Sequence, residues 1–339
     1  MKYISLFSGI GGFELGIQRV MGDKAQCIGF SEIDKFALQV YTHHFPTHTN
    51  LGNVTQITED QIKELVETNG GCDMLVGGFP CTNLTSLARV FKNCNSDGLD
   101  GPASGLFWTM KQIIIWIRKY NGNQKLHIII ENNASMKRSN KEIITSELQS
   151  CFDYPIYLTP LNGADFGVQA RRRIFWTTFE LDVSTIVCEQ TWGDVLLPVD
   201  EVSELNLSEK SIFGYNQYFK NKSSEYCKQL IKIPINYLFE ERGIKHPSRW
   251  QVFQSFSDSS CPKSYTITRK TDISHIILDK RNDNIIPRRF HSVEIERLFH
   301  FPDKWVSGIC SLTRCKLLLG NTIIVKKIEF IVKFVPIRI

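Results

Sequence analysis

The sequence predicts an α/β fold, an open sheet followed by a second, smaller and irregular domain. Three observations carry this. A buried strand, a glycine-rich turn and a helical pattern open the chain between Tyr3 and Ile17. An acid-led strand, Asp73-Met74-Leu75-Val76, delivers the turn Gly77-Gly78-Phe79-Pro80-Cys81. Regular strand–helix alternation then stops near Glu180, where Asn, Ser, Lys, Tyr and Phe become frequent. Open α/β sheets place ligands outside the carboxyl ends of their strands, so both turns are candidate sites.

The first strand is Tyr3-Ile4-Ser5-Leu6-Phe7, followed by Ser8-Gly9-Ile10-Gly11-Gly12 and a helix beginning at Phe13. Gly9 and Gly11 let the backbone approach a ligand at a helix N-terminus. The second strand, Cys27-Ile28-Gly29-Phe30-Ser31, ends at Glu32-Ile33-Asp34. An acid about 20 residues after a glycine turn suits a ribose hydroxyl pair, and Glu32 fits. Its plainer role is to favour the next helix, expected over 35–45, a task Asp34 can also fill. No phosphate-clamping lysine follows the glycines, which excludes a Walker-type loop and leaves an adenosine cofactor without a polyphosphate. Leu51-Gly52-Asn53-Val54 reads as a further strand end.

Cys81 stands just beyond a rigid element, as a nucleophile should; alone, it reads equally as a small buried cysteine. Residues 82–105 read as a polar loop, the usual make-up of a lid. A helix is expected over 107–120. The strand Leu126 to Ile130 ends at Glu131-Asn132-Asn133. A carboxylate at the tip of a buried strand is exposed, paired or used. A helix over 141–151 and a strand over 154–161 follow. Phe166 to Arg173 then leads into Ile174-Phe175-Trp176-Thr177, and alternation places Arg171 and Arg173 on one face. In the second domain, Ser264 to Lys270 reads as a strand, and Arg288 to Ser292 precedes a helix ended by Phe301-Pro302-Asp303. Leu317 to Thr322 leads into an apolar helix through Val335, which the first domain must cover.

Composition narrows the function classes. The chain has 339 residues, 42% hydrophobic and 22% charged, the make-up of a soluble globular protein. No signal pattern opens it and no apolar run reaches the ~18 residues of a membrane span. Ten cysteines are scattered without a Cys-x-x-Cys pair, pointing to a reduced, intracellular compartment and no metal site. The net charge of +5 is uneven: residues 266–339 hold 14 Lys/Arg against 7 Asp/Glu, whereas residues 180–265 hold 9 against 12. The basic end suits a polyanion.

The order of motifs resembles the DNA cytosine-5 methyltransferases over essentially the whole chain. The matching residues are Phe7-Ser8-Gly9-Ile10-Gly11-Gly12, Glu32-Ile33-Asp34, Gly78-Phe79-Pro80-Cys81, Glu131-Asn132, Gln169-x-Arg171-x-Arg173, Glu294-x-x-Arg297-Leu298 with Phe301-Pro302, and Gly320-Asn321. The resemblance implies a Rossmann-like catalytic domain over 1–182 and 315–339, with a target-recognition domain over 183–314. It implies S-adenosyl-L-methionine as cofactor, contacted by Phe7, Gly9, Gly11, Glu32, Ile33, Asn53, Pro80 and Asn321. It implies Cys81 as the nucleophile on cytosine C6, Glu131 on the N3/N4 edge, and Arg173 with Arg171 on the O2 edge. The substrate would be a base flipped out of double-stranded DNA, the enzyme a monomer.

Three departures stand out. Asn53 replaces the usual acid facing the adenine amino group, so weaker cofactor binding is expected. Asn133 replaces the usual apolar residue two after Glu131. The acidic 180–265 stretch moves phosphate contacts to Arg269–Arg289 and to Arg171–Arg173. The runner-up is a tRNA cytosine-5 methyltransferase of the same family, although the Cys-Phe-Thr motif of that branch is missing and Cys151-Phe152-Asp153 does not match it. A catalytically silent DNA-binding relative is the alternative outside enzymes.

Overall fold

The computed structural model describes residues 1–80, 105–205, 232–234, 251–256, 264, 266–267, 275–281 and 284–336. The chain divides into two compact units: residues 1–162, 172–186 and 323–339, and residues 163–171 and 187–322.

The first unit is built on a six-stranded sheet. Its strands are β1 (Lys2–Leu6), β2 (Gln26–Ser31), β3 (Met74–Gly77), β4 (His127–Asn133), β5 (Tyr157–Asn162) and β6 (Arg172–Thr177), in the order β2-β1-β3-β4-β6-β5. The first four are parallel, and β6 runs antiparallel to both β4 and β5. Ile4, Leu6, Leu75, Val76, Ile128, Ile129 and Ile130 are fully buried. Strands covered on both faces read as continuous apolar runs, which is why β1, β3 and β4 were legible.

The helices are α1 (Gly12–Met21), α2 (Lys35–His44), α3 (Glu59–Thr68), α4 (Leu106–Tyr120) and α5 (Arg138–Gln149). In α4 the buried residues are Phe107, Met110, Ile113, Ile114 and Ile117, one stripe at helical spacing. Each such side chain contributes about 2 kcal/mol of burial. Asp34 caps α2 by accepting from the Phe36 and Ala37 amides. Thr58 and Gln61 form a capping box on α3.

The second unit carries short helices α6 (Trp192–Val195) and α7 (Val199–Val202), and a sheet of β7 (Lys232–Pro234), β8 (Gln251–Phe256), β9 (His275–Arg281) and β10 (Asn284–Arg288). Two helices, α8 (Ser292–Leu298) and α9 (Leu312–Asn321), follow. Arg288 is its buried hub, with Nε 2.8 Å from Asp279 and one terminal nitrogen 2.7 Å from Glu294. The last helix, α10 (Val325–Val332), returns to the first unit and packs on α1.

Several expectations are corrected. Residues 51–54 form no strand: Asn50 makes one bridge to Phe30, and Asn53 caps a single 3-10 turn. β4 continues through Glu131 to Asn133 instead of ending before it. The apolar helix expected after Thr322 is α10, which stops at Val332 short of Val335; Leu312–Asn321 forms a separate helix before it, the two divided at the extended Thr322 and Ile324. Ser264 forms a bridge to Gln169, and most of 264–270 lies outside the described residues, as does 82–104 of the expected lid. Among the described residues no helix is long and apolar enough to cross a membrane, and no His/Cys/Asp/Glu group is arranged to hold a metal.

Candidate functional site

Two clusters form at the carboxyl ends of the parallel strands in the first unit. The first begins where β1 ends. Phe7 takes a φ of 57°, a left-handed conformation that a non-glycine residue keeps only where its surroundings dictate it. Gly9 and Gly11 follow with φ of 57° and 85°. Gly11 must be glycine on space alone, since a Cβ there would lie 2.5 Å from the Phe45 ring. The turn hands the chain to α1, whose first amides lack helical partners.

Glu32 crosses from the end of β2 to this turn. Its Oε2 accepts from the Gly9 amide at 2.8 Å, and its Oε1 from the Ile33 and Asp34 amides at 2.7 and 2.8 Å. The carboxylate is therefore oriented before any ligand arrives. Beside it the Ile33 side chain is 67% exposed, an apolar face standing in water next to a fixed acid. Asn53 uses its side-chain oxygen to accept from the Thr55 amide at 3.1 Å and the Thr55 hydroxyl at 3.0 Å. A fixed acid for a ribose diol, an apolar face for a flat ring and an open glycine turn suit an adenosine group.

The second cluster lies on β3, β4 and β6. Gly78 takes no left-handed angle; it is needed for close approach. A Cβ there would lie 2.8 Å from Glu131 Oε2. Asn132 Nδ2 donates to the Phe79 carbonyl at 3.0 Å, tying the turn after β3 to the carboxyl end of β4. Phe79 is buried and Pro80 is partly exposed. Cys81 lies outside the described residues.

Glu131 pairs in register with Phe175, and Asn133 with Arg173. Glu131 and Arg173 are thus diagonal neighbours on one face of the sheet. Arg173 Nε lies 2.7 Å from Glu131 Oε1, with side-chain exposures of 14% and 18%. The pair is partly desolvated yet open on one side, where a planar polar ligand can enter.

Arg171 does not share that face. It is buried in the second unit, where its guanidinium donates to the carbonyls of Ile267 (2.8 Å), Gly320 (3.2 Å) and Thr322 (2.8 Å) and lies over the Phe299 ring. β6 begins at Arg172, so the alternation expected across 171–173 starts one residue too late. Asn321 ends α9 in that same unit and is exposed. The expected phosphate contacts also change: Arg171 and Arg288 are committed to internal partners, whereas Arg172 and Arg289 are exposed.

Asn132 matches the family motif as the amide after Glu131, but its bond to the Phe79 carbonyl is not an expectation of the sequence.

Comparison with known proteins gives one family. The model for the C-5 cytosine-specific DNA methylases matches residues 1–335. Type II methyltransferase M1.ScrFI of Lactococcus lactis subsp. cremoris is 26% identical over 336 residues, 97% of this chain and 76% of that protein. Type II methyltransferase M.HhaI of Haemophilus parahaemolyticus is 26% identical over 226 residues, 64% of this chain and 63% of that protein. Among solved structures, a Spodoptera frugiperda DNMT2 variant matches with a TM-score of 0.66 at 17% identity, covering 98% of this chain and 99% of that one. At that identity it speaks for the fold, which is the Rossmann-like arrangement expected.

Proposed function

The chain belongs to the C-5 cytosine-specific DNA methylase family, and from that premise we propose that Cys81, Glu131 and Arg173 act together on a cytosine flipped out of duplex DNA. The enzyme is a DNA (cytosine-5)-methyltransferase, and its cofactor is S-adenosylmethionine. When bound, that cofactor supplies an electrophilic methyl group.

Cytosine C5 is a poor nucleophile on its own. A bond from the Cys81 thiolate to C6 pushes the ring electron pair toward C5, which can then accept a methyl group. Loss of the C5 proton leaves the C5–H bonding pair to re-form the C5=C6 double bond, while the C6–S bond breaks with its pair on sulfur and the thiolate leaves. Glu131 holds the N3/N4 edge and stabilises the ring as charge develops. Arg173 holds the O2 edge. The Glu131–Arg173 contact carries this reading: an acid and a guanidinium 2.7 Å apart match the donor edge and the acceptor edge of one pyrimidine. Asn132 keeps the turn leading to Cys81 at a fixed distance from that pair.

On the cofactor side, Phe7, Gly9 and Gly11 shape the turn, Glu32 takes the ribose hydroxyls, and Ile33 stacks on the adenine. Asn53, Pro80 and Asn321 are assigned as further contacts by family position. Arg172 and Arg289 are the exposed cations for phosphates, and the protein acts as a monomer inside the cell.

The test is methyl transfer from labelled cofactor by wild type and Cys81→Ser, each with duplex DNA and with tRNA. Wild type labels DNA, and Cys81→Ser binds DNA without labelling it. Retained labelling in the variant removes Cys81 from its role, and preference for tRNA replaces the substrate. Bisulfite sequencing of DNA from cells expressing the gene then reads the target site.

A further inference from the structure

A buried carboxyl lies beneath the cofactor turn, and no step above uses it. Glu14 is the third residue of α1, a position where an acid ordinarily favours the helix N-terminus from the surface. Its side chain is instead fully buried. Oε1 accepts from the Tyr41 hydroxyl at 3.1 Å, and Oε2 has no hydrogen-bond partner. His48 Nδ1 lies 3.0 Å from the same Tyr41 hydroxyl. Three polar groups therefore run from the buried carboxyl to a partly exposed imidazole.

Burial pushes Glu14 up to about 7, against the pull of the Ser5 and Tyr41 hydroxyls and its own amide; the nearby Glu32 charge adds to the rise. Apart from the charged Glu32, the ionisable groups packed on it from β1, β2 and α2 are held neutral. Burial raises Tyr3 on β1, Cys27 on β2 and Tyr41 on α2, and it lowers His48. On the α10 side, Glu329 takes Arg19 and Lys326, and Lys327 donates to the Leu161 carbonyl. Glu14 is left as the buried acid poised to change charge near neutrality.

The carboxyl is tied to the turn from two sides. Ser8 Oγ donates to Ser5 Oγ at 2.9 Å, and the Ser5 hydroxyl in turn favours the charged Glu14. Tyr41 packs on Phe45, whose ring lies against Gly11. With Glu14 ionised, Tyr41 directs its hydrogen at it and the nearby Ser5 hydroxyl favours the charge, so the Ser8–Gly11 turn is held in one arrangement. A protonated carboxyl carries a hydrogen of its own and breaks that inward order. An uncompensated charge in a dry interior also acts more strongly than in water, and the sulfonium cofactor is one positive charge richer than its thioether product.

We propose that ionised Glu14 is a positioning residue for the cofactor turn and favours the sulfonium cofactor over the product S-adenosylhomocysteine. This rests on the methyltransferase reading above. The test is calorimetric titration of the full chain with S-adenosylmethionine and, separately, with S-adenosylhomocysteine, from about pH 6 to about pH 8.5. The sulfonium makes the amino group of S-adenosylmethionine more acidic than that of the product, so the ligand's own titration is measured in Glu14→Gln and subtracted from the wild-type profile. Wild-type affinity for S-adenosylmethionine rises about threefold or more across this range, and that for the product rises less. Glu14→Gln loses this rise, keeps only the ligand's own titration, and binds S-adenosylmethionine as wild type does at the acid end. Tyr41→Phe, which removes a donor to the charged form, moves the midpoint to higher pH.

A wild-type slope retained in Glu14→Gln, or a midpoint unmoved in Tyr41→Phe, overturns the proposal. Should Glu14→Gln not fold, the Tyr41→Phe midpoint decides alone. Wild type that binds no S-adenosylmethionine at any pH removes the cofactor reading itself. Binding without pH dependence removes only the role of Glu14.

Discussion

Arg173 Nε sits 2.7 Å from Glu131 Oε1 across the β4–β6 pair, and each side chain is the other's counter-ion while no base is present. Removing one charge leaves the other partly buried and unpaired, which costs several kcal/mol where burial is deep and less here. The conservative changes are therefore the informative ones. Glu131→Gln keeps the shape and one acceptor but loses the charge proposed to stabilise the adduct. A fall in turnover of about 10²-fold or more is expected, with cofactor affinity unchanged by calorimetry. Arg173→Lys keeps the charge and loses the planar fork, so it falls in the same direction. Turnover within about twofold of wild type in either variant would place the base elsewhere.

Gly78→Ala tests the same pair from the backbone side. An added Cβ would stand 2.8 Å from Glu131 Oε2, too close to be accommodated without moving the carboxylate. A displacement of about 1 Å at a catalytic group costs roughly 10²-fold in rate. The expected result is a large loss of methyl transfer, little change in melting temperature and normal cofactor binding. Gly77→Ala serves as the contrast. There the Cβ would meet the Leu6 carbonyl at 2.5 Å, so β1 and β3 must separate and stability falls as well.

The parallel core was legible because its strands are buried on both faces, and the acids at their tips could be found by asking why a charge should follow an apolar run. Glu131 came out of that question, and Glu32 out of its distance from the glycine turn. What escaped was decided by long-range partners. Arg171 and Arg173 look alike in sequence, yet one donates to carbonyls at Ile267, Gly320 and Thr322 and the other pairs with Glu131. Arg288 sits in a basic stretch that reads as a phosphate surface, but Asp279 and Glu294 bury it. Asn53 was misread as part of a strand because a capping side chain competes with the sheet for backbone amides. No local pattern distinguishes these cases.

Asn53→Asp is expected to tighten cofactor binding. The present amide oxygen already accepts from both the Thr55 amide and the Thr55 hydroxyl. A carboxylate keeps that cap with one oxygen and presents the second, charged, to the adenine amino group. Hydrogen bonds to charged groups contribute about 1.5–3 kcal/mol, much of it lost to solvent at so open a position. A gain of about three- to tenfold in affinity is the expected outcome by calorimetry. Unchanged affinity would show that Asn53 does not face the adenine.

Glu14 makes a prediction about stability that is separate from binding. Its ordinary value near 4.5 is pushed up to about 7 in the folded protein by burial. The folded state therefore holds a proton that the unfolded chain releases between those two values. Where the folded state binds more protons, stability falls as pH rises. The contribution is fully present below about pH 4.5 and is lost as pH climbs through about 7, amounting to roughly 3 kcal/mol. Glu14→Gln cannot ionise and escapes this loss. In urea titrations of ligand-free protein, the variant should match wild type near pH 4 and exceed it by a few kcal/mol near pH 8. The stability difference between the two should grow across that interval and then level off. A difference independent of pH would mean that Glu14 is already charged throughout, and that the interior accommodates it through partners other than Tyr41 and Ser5. Together with weaker cofactor binding by the same variant at high pH, the expected result is a protein made more stable and less able to hold its methyl donor, the exchange seen where a strained group serves a site.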